Sequence, residues 1–199
     1  MLGLLLRDVE HSASEALPSA LSLIERRSLI ASADATTLDA WSARLTALLS
    51  PPGTTPEVRV AAAMLLRETV RQCAEPAFAR HRESWCAALL HLLQPPNASS
   101  AGANAPDTAA AGTRLAAVEA LMQMVEATST WPAERREMTG VLTRLTSTLT
   151  AMLGEPASQR GAACALFSLC LTAPHSLRAH RDKLSERLPA IALEAPQPT

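Results

Sequence analysis

The frame W-x-x-x-L-x-x-L-L occurs twice in this chain, as Trp41, Leu45, Leu48 and Leu49 and again as Trp85, Leu89, Leu92 and Leu93. The copies begin 44 residues apart. The frame returns as Leu145, Leu149, Met152 and Leu153, then more loosely as Leu184, Leu188, Ile191 and Ala192. Positions 0, +4, +7 and +8 share one face of an α-helix. A helical face recurring at about this period marks an array of helix pairs of the HEAT or armadillo kind. Such stacks mostly hold other macromolecules, so the pattern favours a scaffold.

Composition supports helices and excludes sheets. Ala and Leu dominate, while Tyr is absent, Phe occurs twice and Gly only seven times. Too few β-branched and aromatic residues remain for a sheet protein. The expected fold is all-α: a HEAT/armadillo-like α-solenoid of about four helix pairs, in one domain over residues 1–194, with a Pro-rich tail at 195–199. Proline and capping residues divide it. Pro18 lies early in a segment with Leu21, Ile24, Leu29 and Ile30 on its apolar side. Thr37 is placed to cap a helix from Leu38 to Leu49. Thr55 caps the next, with Pro56 at its first position and an end near Cys73. Pro76 marks a turn before a helix from about Arg82 to Leu93. Thr113 is placed to cap a helix to about Ala127, and Pro132 to open one reaching Leu153. Gly154 and Pro156 precede a helix ending near Thr172, and Pro174 opens the last.

The third copy of the frame begins 60 residues after the second, and the excess falls in the stretch from Pro95 to Gly112. That stretch is rich in Pro, Asn, Ser and Gly and poor in large apolar groups, which reads as a flexible insertion at 95–112. Limited proteolysis is expected to nick the chain there first. A short Gly/Ser linker in its place is expected to leave thermal unfolding cooperative, because loop length is thermodynamically cheap. A loss of cooperativity would show instead that the segment packs on the array.

The first helices of the later pairs repeat a second pattern. Arg59-Val60-Ala61-Ala62, Arg114-Leu115-Ala116-Ala117 and Arg160-Gly161-Ala162-Ala163 each read R-x-A-A. Small residues in series allow neighbouring helices to approach closely. The arginines are long enough to reach a carboxylate or carbonyl of the next unit; the plainer alternative is three solvated side chains.

Chemistry is hard to find in this sequence. The four cysteines, Cys73, Cys86, Cys164 and Cys170, form no CxxC pair and sit in apolar helical surroundings, which reads as buried thiols in a reducing compartment. His175 and His180 lie five apart without the H-E-x-x-H frame, and no spacing gathers the three or four ligands a metal needs. Cys73, His81 and Cys86 share one helical region, but nothing there favours a thiol nucleophile over core packing. The seven glycines make no phosphate-binding loop. Catalytic residues, cofactor and metal are therefore all expected to be none.

Net charge is −1, which gives no global case for nucleic acid. Two clusters stand out locally. Glu134-Arg135-Arg136-Glu137 reads as a solvated first helical turn. Arg178, Arg181 and Lys183 gather basic charge within a turn and a half and are the candidate partner contact. Trp41 and Trp85 are expected in equivalent core positions, and Trp131, before Pro132, at the position of a hydrophobic staple. No apolar run approaches the length of a membrane span. The opening Met-Leu-Gly-Leu-Leu-Leu-Arg is too short for a signal peptide's apolar region, so the expected location is intracellular.

The most specific residues are Arg59, Phe78, His81, Trp85, Leu89, Leu92, Leu93 and Gln94, in the frame R-x18-F-x2-H-x3-W-x3-L-x2-LLQ. This frame resembles the N-terminal domain of the Rix-type pre-rRNA-processing proteins, which include the proline-, glutamate- and leucine-rich protein of animals. Leu115 to Val125, Leu142 to Leu153 and Ala165 to Arg178, with Asp182-Lys183-Leu184, are similar to the segments that follow in that family. The resemblance covers roughly residues 20–190, and Arg59, Phe78, His81, Trp85 and Leu89 carry its signature as structural positions. It implies a nuclear, non-enzymatic scaffold in maturation and export of the large ribosomal subunit. The implied partners are a WD-repeat protein, a second helical-repeat protein and an AAA-type ATPase of the pre-60S particle, with indirect association to pre-rRNA and no membrane. Family members are typically longer, often with an acidic tail that this sequence does not contain. The alternative is another helical-repeat adaptor, of the transport or kinase-complex chaperone type. An enzyme on a helical fold stands behind both, for want of any convergent polar motif.

Overall fold

Caps and prolines set where each helix begins. In the computed structural model, which describes residues 1–50, 53–94, 108–182 and 184–185, nine α-helices are found and no strand among those residues. They are α1 Leu2–His11, α2 Ala13–Arg27, α3 Ala35–Leu49, α4 Pro56–Gln72, α5 Glu75–Leu92, α6 Thr108–Ala127, α7 Pro132–Glu137, α8 Thr139–Met152 and α9 Gln159–Thr172. The fold is all-α.

Several boundaries differ from the sequence reading, each for a local reason. Asp34, not Thr37, caps α3: its carboxylate accepts from the Thr37 N–H at 2.8 Å and from the Thr37 hydroxyl at 2.7 Å. Thr55 caps α4 as expected, with Pro56 in the first turn. Pro76 does not delay α5, because a proline within the first turn forfeits no intrahelical bond. The helix therefore starts at Glu75 and takes in Phe78 and His81. Thr113 lies inside α6, where its hydroxyl donates to the Ala109 carbonyl at 3.0 Å. Residues 108–112 thus belong to a helix rather than to the insertion; 95–107 fall outside the described residues. The helix expected from Pro132 to Leu153 breaks at Met138, which is fully buried. The segment opened by Pro174 is a 3-10 turn over Pro174–His180.

The helices lie in two rows. One row runs α2, α4, α6, α9, each packed on the next; the other runs α3, α5, α8 and the Pro174–His180 turn. The rows are stitched together by α3 on α4, α5 on α6 and α8 on α9, and α1 packs against α2, α3 and α4. The most extensive contact is α4 on α6. Ala61, Ala62 and Ala63 of α4 and Ala117 and Ala120 of α6 are all fully buried, so side chains of one carbon let these two backbones come close. Between α6 and α9 the same function falls to Gly161. A Cβ there would stand 2.2 Å from Cδ2 of Leu115, which occupies the space the missing side chain leaves.

The repeated frame forms the spine of the second row. Trp41, Leu45, Leu48 and Leu49 on α3, Trp85, Leu89 and Leu93 at α5, and Leu145, Leu149, Met152 and Leu153 at α8 are all buried; Leu92 is half-buried. Trp41 and Trp85 therefore hold equivalent core positions on consecutive helices of one row. Leu184 is also buried, while Leu188, Ile191 and Ala192 lie outside the described residues.

Candidate functional site

Phe78, His81 and Trp85 are spaced 0, +3 and +7 on α5, and so share one helix face. Phe78 meets Trp85 edge-on, with ring centroids 6.2 Å apart. The His81 ring stacks on Trp85 at 5.3 Å. Trp131, from the segment before α7, closes on Phe78 at 5.3 Å. Trp131 is thus a cross-unit packing residue at the cap position of α7, not a staple on its own helix. Phe78, Trp85 and Leu89 have no exposed surface, so these signature positions are core.

Buried indoles need partners for their N–H groups, and both find one in a neighbouring helix. Trp85 Nε1 donates to the Ser42 hydroxyl at 2.7 Å, and Ser42 is the residue next to Trp41. Trp41 Nε1 donates to the Thr69 hydroxyl at 2.9 Å, and that hydroxyl donates to the Leu65 carbonyl at 2.7 Å. The two tryptophans therefore bond as well as pack: Trp85 ties α5 to α3, and Trp41 ties α3 to α4. His81 Nε2 lies 2.9 Å from Asp39 Oδ1 on α3, but out of line for a hydrogen bond. Asp39 also accepts from Arg80 at 3.1 Å, and this bond holds its carboxyl below the usual range.

Arginine–carboxylate pairs recur at the joints between helices. Arg44 on α3 makes two 2.6 Å bonds to Glu10 on α1, which lower the Glu10 pKa against the opposing effect of burial. Arg71 on α4 reaches Glu25 on α2, and Arg67 on α4 reaches Glu119 on α6, both at 2.9 Å. Arg82 on α5 binds Glu134 on α7. Arg135, Arg136 and Glu137 are exposed, as expected of a solvated turn, but Glu134 is buried. Arg135 turns the other way and donates to the Thr172 carbonyl at the end of α9.

The three R-x-A-A arginines behave differently from one another. Arg114 grips both oxygens of Glu155, in the segment between α8 and α9, as an inter-unit clamp. Arg59 instead bonds its own preceding turn, donating to the Thr54 hydroxyl and carbonyl. Arg160 is exposed. The Arg114 bonds, opposed by desolvation, hold the Glu155 carboxyl below the usual glutamate range. A carboxyl depressed in the folded state stabilises the fold above its unfolded pKa, roughly 4.3, and loses that contribution as pH falls through its folded value. Arg114→Gln is therefore expected to flatten the acid limb of the stability–pH profile below about pH 4.3. The loss at neutral pH is expected to stay within about 1 kcal/mol, because the Glu155 side chain is 40% exposed. An unchanged acid limb in urea titrations would remove the clamp from the account.

Cys73 and Cys86 are buried, as read from sequence, and burial pushes their thiols up to about 11 and about 12. They stay protonated and unreactive at neutral pH. Cys164 and Cys170 are exposed, contrary to the same reading. Their Ala- and Leu-rich neighbours bury only one side of α9, the side toward α6 and α8. All four are free thiols. Among the described residues no group of three His, Cys, Asp or Glu is arranged to hold a metal, and no helix is long and apolar enough to cross a membrane.

Of the expected partner contact, Arg178 and Arg181 are exposed, and Lys183 lies outside the described residues. The two arginines flank an apolar pocket of about 420 Å³ lined by Pro174, Leu177 and Leu184. The carboxylate that each clamp arginine meets was not visible in sequence, since the partners lie far apart along the chain. The pocket is local in sequence but forms only where the Pro174–His180 turn folds back.

No curated protein and no solved structure matches the chain. The RIX1 family, described as rRNA processing/ribosome biogenesis, matches residues 1–193. That span contains both helix rows, the aromatic signature and the inter-helix clamps, and the chain belongs to this family.

Proposed function

We propose that this chain is a non-enzymatic scaffold of ribosome biogenesis, a short HEAT/armadillo-like α-solenoid that holds proteins maturing the large ribosomal subunit. The observation that carries the reading is the family match across both helix rows, in a chain whose signature residues are spent on packing. Phe78, Trp85 and Leu89 are core, and Arg59 and His81 contact neighbouring protein groups, which leaves the surface to do the work. The reading extends to a nuclear complex with a WD-repeat protein, a second helical-repeat protein and an AAA-type ATPase of the pre-60S particle. Chemistry then belongs to the ATPase, and pre-rRNA is approached through the partners.

The Arg178, Arg181 and Lys183 cluster is the proposed electrostatic contact, since Arg178 and Arg181 are exposed beside an apolar pocket. Reversing the three charges (Arg178→Glu, Arg181→Glu, Lys183→Glu) is expected to leave unfolding nearly unchanged, because surface substitutions usually cost within about 0.5 kcal/mol each. Association with the assembly is expected to weaken, more at low salt than at high. Unchanged copurification of the partners at both salt concentrations would remove the cluster. Copurification of transport factors or kinases by the wild-type chain would favour the adaptor alternative.

A further inference from the structure

The first helix row carries a surface groove floored by the outer edge of the core. It lies between α6 and α9 and encloses about 720 Å³. Leu115, Val118, Met122, Gly161 and Ala165 make an apolar lining. Arg160 and Glu126 also line it, and both are exposed. Leu115 seated over Gly161 fixes the register of the two helices. Arg160 therefore stands at the Leu115 end, and Glu126 is eleven residues farther along α6, about 16 Å at 1.5 Å per residue. The rim charges Arg67 and Glu119 already neutralise each other at 2.9 Å.

A second observation points to the same place. Arg160, Cys164, Phe167 and Leu171 are spaced 0, +4, +7 and +11 and so form one edge of α9 beside the groove. Phe167 is 67% exposed and Leu171 72%. Single exposed apolar residues are ordinary, but two on one edge, continuous with an apolar groove, mark an interaction surface.

The charges choose among occupants. One cation and one anion at opposite ends give no net attraction for a phosphate backbone, which disfavours nucleic acid. A cleft between two packed helices has the shape that receives a third helix by its apolar face. We propose that the α6–α9 groove docks an amphipathic helix of a protein partner. That helix presents apolar residues at i, i+3 or i+4, and i+7. It carries an acidic side chain for Arg160 and a basic one for Glu126, about three turns apart. The proposal rests on the reading of the chain as a holder of proteins, not on which assembly is held.

The test places p-benzoylphenylalanine at Ser168, on the groove, in the full chain expressed in its own cells. The native assembly is irradiated and the cross-linked peptide is identified by mass spectrometry. The expected product is a segment of another protein with the stated apolar and charge pattern. Met122→Glu, which sets a charge on the half-buried groove lining, is expected to lower its yield at least tenfold. Arg160→Glu, at an exposed position, is expected to lower it several-fold, and decides the matter if Met122→Glu does not fold. Cross-links to a second copy, to residues 186–199 of the same chain, to RNA, or to segments without the pattern would overturn the proposal. So would a yield no higher than from the same probe at the exposed Arg144. A failed cross-link in a chain that still sediments with large-subunit precursors would sink the groove and leave the scaffold standing. The patterned cross-link in a chain absent from those fractions would do the reverse.

Discussion

Trp85→Ala is expected to lower stability by about 3–5 kcal/mol, the range for aromatic truncation in a packed core. The ring has no exposed surface, Phe78 and His81 lie against it, and its N–H ends on Ser42 of the neighbouring helix. Truncation removes the contacts and leaves the buried Ser42 hydroxyl without this partner. Trp85→Phe keeps most of the volume and isolates the lost hydrogen bond, at about 1 kcal/mol plus a small packing term. Trp131→Ala is expected to cost less than Trp85→Ala, since Trp131 is only half-buried. Denaturant midpoints measured at constant slope give all three values. A loss below about 1 kcal/mol for Trp85→Ala would contradict the placement of the ring in the core.

Arg82→Ala is expected to be the most damaging change among the charged residues, at about 2–3 kcal/mol. Removing one partner of a buried pair strands the other charge, which costs about 3–5 kcal/mol when burial is complete. Arg82 keeps a fifth of its side-chain surface and Glu134 about a tenth, so the expected loss lies below that range. Glu137, 3.7 Å from Arg82, does not replace the lost cation. Adding Glu134→Leu to Arg82→Ala is expected to recover much of the loss, because the stranded carboxylate is then gone. Equal stability of wild type and Arg82→Ala would show that the pair is no more than a surface bridge.

How far the sequence reading reached follows from which forces are local. The second-row helices announce themselves, because Trp41, Trp85 and their leucines repeat a helical face whose burial depends only on that face being apolar. The Thr55–Pro56 start is equally local. The break at Met138 is not: it is set by the burial of Met138 against Cys86, 52 residues earlier, where the two sulfurs lie 3.8 Å apart. Glu134 misled for the same reason. In sequence it stands among alternating charges, and only the fold brings Arg82 to it. Arg59 and Arg114 share one motif, yet Arg59 bonds its own preceding turn and Arg114 the Glu155 carboxylate of the next unit, a difference the motif alone does not carry. Cys164 and Cys170 look like core thiols until α9 is seen to be covered on one side. Of the candidate site, the aromatic signature was legible as residues but not as a cluster, since Trp131 joins it from the next unit. Arg178 and Arg181 were legible as an exposed basic cluster, but the apolar pocket beside them was not.

The chain belongs to a ribosome-biogenesis family, and its proposed work is in maturation of the large ribosomal subunit. Sucrose-gradient sedimentation of the epitope-tagged full chain from its own cells, with each fraction probed for precursor rRNA of the large subunit, tests it most directly. The chain is expected to peak with those precursors, and RNase treatment of the extract is expected to shift both to lighter fractions. A chain that stays at the top of the gradient, apart from the precursors in untreated extract, would contradict that proposal.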